Sequence, residues 1–530
     1  QLAEQEKSAM RRAAAFDASE RARARSLLEL IGIDAGQIVE NLDSQLAARD
    51  HELRQRISLK ADEQTRLSGN SATAERQARL DQELTLLLAE HDRFTAQIRQ
   101  RHPRYFALAD VQPLTLAEVR QQVLDDKTVL LEYALGAERS WLFAVTNTEL
   151  RSFPLPPRRE LEQAARRLHE SLAAYGRARA FTSIQAKQAW QRQQDRIWQT
   201  AAINLSRMLL AQASPLLKGK RLLIVPDGAL HYVPFAALPV IGGRWSVVGK
   251  KPGTSRATTD NRQLTTDHRP PVTGHRPPLI VHHDILTLPS ASALAVLRRE
   301  LGVRAPAEKT LAVFADPVYQ RNDESGMVTE ASARFLNDLA RLPATRLEAE
   351  AISQLVSASA RKVAYGLDAN YAAATSAELS QYRYVHFATH GWLDSRRPAL
   401  SGLVLSQVNA QGATQHATLR ALDVVNLKLN AELVVLSGCQ TGLGEEINGE
   451  GLVGLSRGFM YAGARRVAAS LWQVNDAATA ELMQRFYQGM LGKKKLSPAA
   501  ALREAQLTIF HTPRWQSPYY WAAFTLQGDW

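Results

Sequence analysis

The sequence contains 530 residues, of which 45% are hydrophobic and 22% are charged, so its composition is typical of a folded globular protein. A chain of this length exceeds what one hydrophobic core organises and predicts two or three structural units. No apolar run approaches the roughly eighteen residues of a membrane-spanning helix, and the first residues lack the apolar core of a secretory signal.

The charged residues are unequally divided, because 65 Lys and Arg residues outnumber 53 Asp and Glu residues and give a net charge of +12. Such an excess can attract nucleic acid or an anionic surface. The basic residues are spread over several segments and are not interleaved with aromatic side chains, so we do not expect direct nucleic-acid binding. The chain begins with Gln rather than Met, and we expect that it starts within a longer protein or at a processed end.

The first part of the chain, residues 1–105, is rich in Ala, Arg, Glu, Gln and Leu and has no proline before Pro103. Its apolar residues recur near helical spacing, which predicts a helical hairpin or a short coiled-coil-like arm. We call this segment the helical arm. It is interpreted either as a partner-docking or regulatory segment, or as a buttress that packs against the following domain.

Beyond the helical arm the pattern changes to short β-type runs. Residues 129–134 and 140–146 predict a hairpin. A basic helical stretch follows at about 158–213, and 221–228 is a buried-strand run that ends in a turn.

Residues 241–278 form a segment rich in Gly, Pro, Thr, Arg and His that has no periodicity, which predicts a mobile surface loop. Its histidines, His268 and His275, do not have the spacing of metal ligands. We therefore expect both to be solvated rather than bound to a metal.

From residue 310 onward, short apolar runs alternate with helical segments. Strands are predicted at 310–317, 362–365, 384–389, 432–437, 466–471 and 521–526, and helices at about 346–357, 451–461, 477–490 and 498–510. Because strands that alternate with helices form parallel sheets covered by those helices, the fold class is an α/β sandwich with a mainly parallel central sheet.

Two predicted strands end in residues that can carry covalent catalysis. The strand at 384–389 is followed by His390 and Gly391, and the strand at 432–437 is followed by a glycine and Cys439. Because reactive groups collect at the carboxyl ends of parallel strands, we expect His390 and Cys439 to lie together. Forty-nine positions separate them, which is comparable to the spacing between the histidine and cysteine of caspases.

This pair predicts a Cys/His dyad. The thiolate is the reactive form of Cys439, and the His390 imidazole can accept the thiol proton and later protonate a leaving amine. The backbone N–H groups of Gly391 and Cys439 are the expected oxyanion hole. The alternative is a structural thiol in a turn beside a core histidine. His386 lies in mid-strand, and we interpret it as a packed or hydrogen-bonded core residue.

Cys439 is the only cysteine in the chain, so an intramolecular disulfide cannot form and we expect a reducing, cytoplasmic setting. No metal is expected, since a zinc site needs several Cys or His ligands and no histidine pair at ligand spacing lies near the dyad.

A family resemblance is carried by the histidine motif YVHFATHG and the cysteine motif LSGCQTG, and by the segments LIVPDGALHYVPFAAL, LPSASAL, ADPV, LPATRLEAE, GEGLVGLSRGFMYAGA and SLWQVND. These segments resemble the CHAT-domain proteins, a caspase-like group of clan CD that often follows TPR repeats. The resemblance covers roughly 110–530. The chain departs from the usual pattern in two ways: the insert at 241–278 is long, and no TPR repeat is visible in 1–105.

The resemblance implies a caspase-like α/β/α sandwich in two parts. Residues 106–345 correspond to the N-terminal, pseudo-protease-like half, which carries the loop insert at 241–278. Residues 346–530 correspond to the catalytic half.

A more distant similarity to separase implies a specificity site. In proteases of this group, an acidic residue at the base of the S1 pocket selects Arg or Lys. Residues 471–476 resemble the strand end that carries this acid in separase, which makes Asp476 the candidate. The alternative is that Asp476 is only the N-cap of the helix predicted at 477–490.

The resemblance implies a cysteine endopeptidase that hydrolyses a specific protein substrate after Arg or Lys without a cofactor. We expect control by the helical arm, by an activating protein partner or by an upstream TPR region. The glycine-rich, acidic segment 442–451 is expected to become ordered on activation, which makes Glu445 and Glu446 less suited than Asp476 to a fixed pocket. The alternative is a catalytically idle CHAT scaffold in a bacterial signalling or defence complex.

Overall fold

The computed structural model describes residues 2–31, 44–67, 74–101, 113–177, 180–240, 276–302, 304–320, 339, 341–394, 397–438, 440–442 and 450–530. The predictions for Cys439, Glu445, Glu446, His268 and His275 fall outside the described residues. Among the helices that are described, none is both long and apolar enough to cross a bilayer. Within the same ranges, no three His, Cys, Asp or Glu side chains are grouped as a metal site requires.

The helices of seven or more residues in the described ranges are α1 Leu2–Ile31, α2 Ser44–Leu67, α3 Ala74–Arg101, α4 Leu116–Gln122, α5 Arg158–Ala173, α6 Ile184–Leu210, α7 Ala291–Leu301, α8 Pro343–Ser353, α9 Glu450–Tyr461, α10 Asp476–Leu491 and α11 Pro498–Phe510. One-turn helices lie at Ser214–Leu217, Tyr371–Ala374, Ala421–Val424 and Pro518–Trp521.

The strands in the same ranges are β1 Thr128–Ala134, β2 Ser140–Val145, β3 Leu150–Leu155, β4 Arg221–Val225, β5 Ile285–Thr287, β6 Lys309–Ala315, β7 Arg361–Tyr365, β8 Tyr382–Ala388, β9 His390–Leu393, β10 Gly402–Val404, β11 Thr418–Arg420, β12 Leu433–Leu436, β13 Gln440–Gly442, β14 Arg466–Ser470 and β15 Phe524–Gly528. They form a main sheet and a small sheet.

The main sheet has eleven strands in the described part of the chain, in the order β3-β2-β1-β4-β5-β15-β14-β12-β8-β6-β7. Neighbouring strands are parallel, except in the β1–β2, β2–β3 and β14–β15 pairs, which are antiparallel. The predicted mainly parallel sheet is thus confirmed, and β14 lies beside β12 as expected. Strand β15 lies between β5 and β14, so one sheet contains strands from residues 106–345 and from residues 346–530.

Helices cover both faces of the main sheet, as the neighbours of β8 demonstrate. His386 and Phe387 are consecutive in β8 and therefore point to opposite faces. The His386 ring lies 5.7 Å from the ring of Tyr487 in α10, and the Phe387 ring lies 5.6 Å from that of Phe459 in α9. The predicted α/β sandwich is confirmed by this arrangement.

The predicted helical arm is present but contains two separately packed parts. Helices α2 and α3 form a hairpin, in which Leu53, Ile57 and Leu84 are fully buried. Helix α1 instead packs on the main sheet, where Phe16 meets Phe143 of β2 edge-on with ring centroids 5.9 Å apart. Only the α2–α3 hairpin therefore corresponds to an arm, since α1 belongs to the hydrophobic core of the main sheet.

The small sheet was not predicted. Its described strands have the order β11-β10-β9-β13, and each contains only three or four residues. Strands this short carry too little alternation to be recognised from a sequence. Strand β8 of the main sheet ends at Ala388, and β9 of the small sheet begins two residues later at His390.

At two positions a proline begins a helix and moves an element boundary away from the predicted one. The helix predicted at about 346–357 begins earlier, because Pro343 occupies its first turn and has the fixed φ that suits a helix start. The strand predicted at 521–526 begins later, because Pro518 starts a one-turn helix before β15.

Replacing Phe16 by Ala tests whether α1 belongs to the core. Phe16 is fully buried, and loss of a buried aromatic ring lowers the free energy of unfolding by about 3–5 kcal/mol. Met10→Ala on the same helix is the control, because Met10 is 72% exposed and its loss should change stability by less than about 0.5 kcal/mol. Urea denaturation measures both; small effects for both variants would contradict the assignment of α1 to the core.

Candidate active site

His390 lies in an apolar enclosure at the start of β9. The residue is 6% exposed, and its ring centroid lies 5.4 Å from that of Tyr319. Val404 of β10 lies opposite His390 and belongs to the same buried cluster as Tyr319. Trp392 packs against this cluster. Packing of this kind locks a side chain in one rotamer, which a general base requires.

The chain on both sides of position 439 lies against the segment that carries His390. The backbone N–H of Ser437 donates to the Phe387 carbonyl over 2.8 Å, which extends β12 along β8. Gln440 begins β13 and pairs in parallel with Gly391. Cys439 is outside the described residues, but the residues that precede and follow it contact those that precede and follow His390.

The approach of the two segments requires glycine at position 438. A Cβ atom built on Gly438 would lie 2.3 Å from the carbonyl oxygen of Thr389 and 3.5 Å from the backbone nitrogen of Gly391. The first distance is shorter than real Cβ contacts, and Thr389 is fully buried between β8 and β9. The glycine before the cysteine therefore has a steric role that the sequence motif alone does not reveal.

His386 is a core residue, as predicted, and belongs to a buried polar cluster. Its Nδ1 lies 3.2 Å from the Tyr487 hydroxyl, and its Nε2 lies 3.0 Å from Oε1 of Glu348. Burial, reinforced by the charge of Glu348, raises the pKa of Tyr487 well above its usual value, so the hydroxyl keeps its proton and can donate to Nδ1. Both ring nitrogens of His386 face protein groups behind the site, which leaves His390 as the candidate base.

Asp476 is the first residue of α10, and its side chain is exposed. The N-cap of α10 is Asn475, which has extended backbone angles (φ −82°, ψ 123°) and a side chain that accepts the N–H of Ala478 over 3.1 Å. The alternative that Asp476 is the N-cap is therefore wrong. The exposed carboxylate also differs from the buried acid expected at a pocket base, and the S1 role of Asp476 stays a prediction.

The segment between β14 and Asp476 packs against residues from the first half of the chain. Nε2 of His169 in α5 lies 2.8 Å from the Leu471 carbonyl. Burial lowers the pKa of His169, so the ring is neutral and donates from Nε2 to that carbonyl. A Cβ atom at Gly176 would lie 3.3 Å from the Gln473 carbonyl, which indicates close backbone packing. Sequence reasoning gave His169 and Gly176 no role, because they lie about 300 positions away from this segment.

The α2–α3 hairpin contacts the small sheet through a buried ion pair. Asp62 of α2 accepts hydrogen bonds from the guanidinium of Arg420 in β11 and from Nδ1 of His416 at 2.8 Å. Burial alone would raise the pKa of Asp62, but the hydrogen bond from His416 and the charge of Arg420 hold it below its usual value. The carboxylate is therefore ionised at neutral pH, although Asp62 is 4% exposed.

Apolar side chains form a second contact between the hairpin and the small sheet. Ile57 and Leu84 of the hairpin share a buried cluster with Leu400, which lies between β9 and β10, and with Leu422, which follows β11. We call the contact formed by Asp62, His416 and Arg420 together with this cluster the arm junction. Sequence reasoning missed it, because His416 and Asp62 are 354 positions apart and carry no shared motif.

A sequence model of the CHAT domain matches residues 199–529, which is more than half of the chain. The chain belongs to the CHAT-domain family. This confirms the caspase-like group indicated by the sequence motifs, although the match begins later than the predicted start near residue 110. Strands β1–β3 precede the matched part but lie at one edge of the same main sheet, where β1 pairs with β4.

The CHAT-domain chain is also similar to curated proteins named Tetratricopeptide repeat protein 28. The mouse protein is 39% identical over 111 residues, covering 21% of this chain and 4% of the relative. The human protein is 25% identical over 355 residues, covering 61% of this chain and 12% of the relative. The chain thus spans a small part of the length of these relatives.

Among solved structures, the chain is similar to two Saccharomyces cerevisiae separase–securin complexes. One match has a TM-score of 0.49 and 9% identity, and the other has a TM-score of 0.48 and 8% identity. Each covers 96% of this chain and 40% of the solved chain. With TM-scores below 0.5, these likenesses add no argument about the CHAT domain.

Gly438→Ala tests the close approach beside position 439. The added methyl group would overlap the Thr389 carbonyl, so we expect the free energy of unfolding to fall by about 1–3 kcal/mol through overpacking. Gly454→Ala in α9 is the control, because its Cβ would meet Pro398 at an ordinary 3.8 Å. Equal stability of the Gly438 variant and the wild type in chemical denaturation would show that the two segments are not in contact.

Proposed function

We propose that this CHAT domain is a cysteine endopeptidase in which Cys439 is the nucleophile and His390 is the general base. The observation that carries the proposal is the pairing of Gln440 with Gly391, together with the close approach of Gly438 to Thr389. These two contacts bracket Cys439 and His390 on neighbouring segments. The buried, packed ring of His390 supports the same assignment.

The proposed reaction is amide hydrolysis through a thioester. His390 accepts the thiol proton, and the Cys439 thiolate attacks the carbonyl carbon of the scissile peptide bond. The N–H groups of Gly391 and Cys439 donate to the oxyanion of the tetrahedral intermediate. The intermediate expels the amine, which takes the proton from His390. A water deprotonated by His390 then attacks the thioester carbon, the C–S bond breaks to release the carboxylic acid product, and the Cys439 sulfur regains a proton from His390. No step requires a metal or a cofactor.

We further propose that Asp476 selects Arg or Lys at the residue before the cleaved bond. Its carboxylate is exposed at the start of α10, just beyond β14, and β14 lies beside the strand that leads to Cys439. A carboxylate there can pair with a guanidinium in two parallel hydrogen bonds or with an ammonium in one. Binding of a substrate side chain against Asp476 would bury the carboxylate, which is exposed in the free protein.

Control of the protease is proposed to pass through the α2–α3 hairpin. The arm junction connects α2 to β11, and β11 connects through β10 to β9, which begins with His390. An activating partner or an upstream TPR region that moves the hairpin would therefore alter the small sheet. A single cysteine suits a reducing, cytoplasmic setting, in which Cys439 does not form a disulfide.

Substitution of the dyad tests the proposed activity. Cys439→Ala and His390→Ala should each reduce cleavage of a protein pool to background, because the nucleophile or its base is removed. His511→Ala removes an exposed histidine of the same chain and should leave cleavage unchanged. Mass spectrometry of new protein termini provides the measurement. Full cleavage by the Cys439 variant would refute the assignment of the catalytic dyad. Absence of cleavage by the wild type would favour the catalytically idle scaffold.

Asp62→Ala tests control through the arm junction. The change leaves Arg420 buried without its carboxylate, so we expect faster hydrogen exchange in β10 and β11 and at least a tenfold lower cleavage rate. Asp92→Ala removes an exposed carboxylate from α3 and is the matched control. Unchanged exchange and cleavage in the Asp62 variant would argue against control by the hairpin.

Asp476→Ala should lower cleavage after Arg and Lys by about two orders of magnitude, because a charged partner in the pocket is lost. Alkylation of Cys439 should persist, since the dyad is untouched. Asn475→Ala removes the helix cap but keeps the charge, and should retain the basic preference. A peptide-library profile of the wild type that prefers acidic or apolar residues would refute the S1 assignment and leave the dyad standing.

A further inference from the structure

The carboxyl end of β14 carries a buried hydroxyl that contacts the residue before the proposed nucleophile. Ser470 is the last residue of β14 and is 4% exposed, and its Oγ donates a hydrogen bond to the carbonyl oxygen of Gly438. Gly438 immediately precedes Cys439 in the sequence. Ser470 therefore binds the peptide unit that leads into Cys439.

Peptide planarity extends this contact to the next N–H group. The C=O of Gly438 and the N–H of Cys439 belong to one planar unit, and in a trans peptide the two groups point in opposite directions. Because the carbonyl oxygen is bound from β14, we expect the N–H of the same unit to be directed away from β14. In the strand order, the other neighbour of β12 is β8, the strand that leads to His390.

We propose that Ser470 is a positioning residue that holds the Cys439 N–H toward the oxyanion of the reaction. The inference rests on the proposed protease function and adds a residue that the dyad chemistry does not include. An oxyanion hole is effective when its donors are oriented before charge develops. Ser470 contributes that orientation through the carbonyl on the other side of the peptide, without touching the substrate.

Gly438 makes this arrangement dependent on a hydrogen bond. The lack of a side chain allows the close approach to Thr389 and also removes a steric restraint on rotation of the following peptide. The hydroxyl of Ser470 supplies a directional restraint from the side opposite Thr389. Removal of the hydroxyl should therefore affect the transition state more than the ground state, because only the transition state carries the oxyanion.

The test compares Ser470→Ala with the wild type in the full chain. We expect kcat to fall about tenfold to a hundredfold with KM within about twofold, since the loss of a whole oxyanion donor costs a hundredfold or more. A peptide aldehyde that forms an oxyanion on Cys439 should bind weaker by a similar factor. Iodoacetamide alkylation of Cys439 forms no oxyanion, and its rate should stay within about twofold. Ser470→Thr keeps the hydroxyl and should restore most of kcat.

Ser206→Ala is the matched control, because Ser206 is also buried and donates to a backbone carbonyl, that of Pro239, in the first half of the chain. It should change neither kcat nor aldehyde binding. Unchanged kcat in the Ser470→Ala variant would overturn the inference while the proposed function stands. An equal fall in kcat and alkylation rate would also overturn it, since that pattern indicates general disruption of the site. A wild type that neither cleaves nor reacts at Cys439 would overturn both.

Discussion

The close backbone contact between Gly438 and Thr389 is the constraint on which the site depends. It brings the end of β12 against the turn from β8 to β9, so Gly438 lies beside the residues that precede and follow His390. A side chain at position 438 would separate the two segments. The small sheet follows from the same contact, because β13 can pair with β9 only when the chain passes Gly391 at this distance.

Buried groups outside the dyad hold the two sides of this contact in place. A buried polar cluster connects β8 to two helices, through contacts of His386 with Glu348 of α8 and Tyr487 of α10. Ser470 binds the Gly438 carbonyl from β14, on the opposite side of β12. The arm junction joins α2 to β11, and β11 connects through β10 to the strand that begins with His390. Each support is a polar group that is buried and hydrogen-bonded, and the loss of one partner leaves the other uncompensated.

Sequence patterns predicted the features that arise from local periodicity and strand ends. The parallel sheet, its covering helices and the neighbouring positions of β12 and β14 are seen as expected, because buried apolar runs of strand length are distinctive. The small sheet and the arm junction were missed, since strands of three residues and an Asp62–Arg420 pair 358 positions apart leave no local signal. Asn475 rather than Asp476 caps α10, a difference of one residue that backbone geometry decides.

The rate of Cys439 carboxymethylation as a function of pH tests the central claim, that His390 and Cys439 form one reactive pair, most directly. An isolated cysteine becomes a thiolate with a pKa of about 8.5, whereas a neighbouring imidazolium lowers that value. We predict that the wild type reacts at a nearly constant rate through neutral pH, and that His390→Asn shifts the rise in rate to a pH of about 8.5 or higher. Identical pH profiles for the two proteins would contradict the pairing of His390 with Cys439.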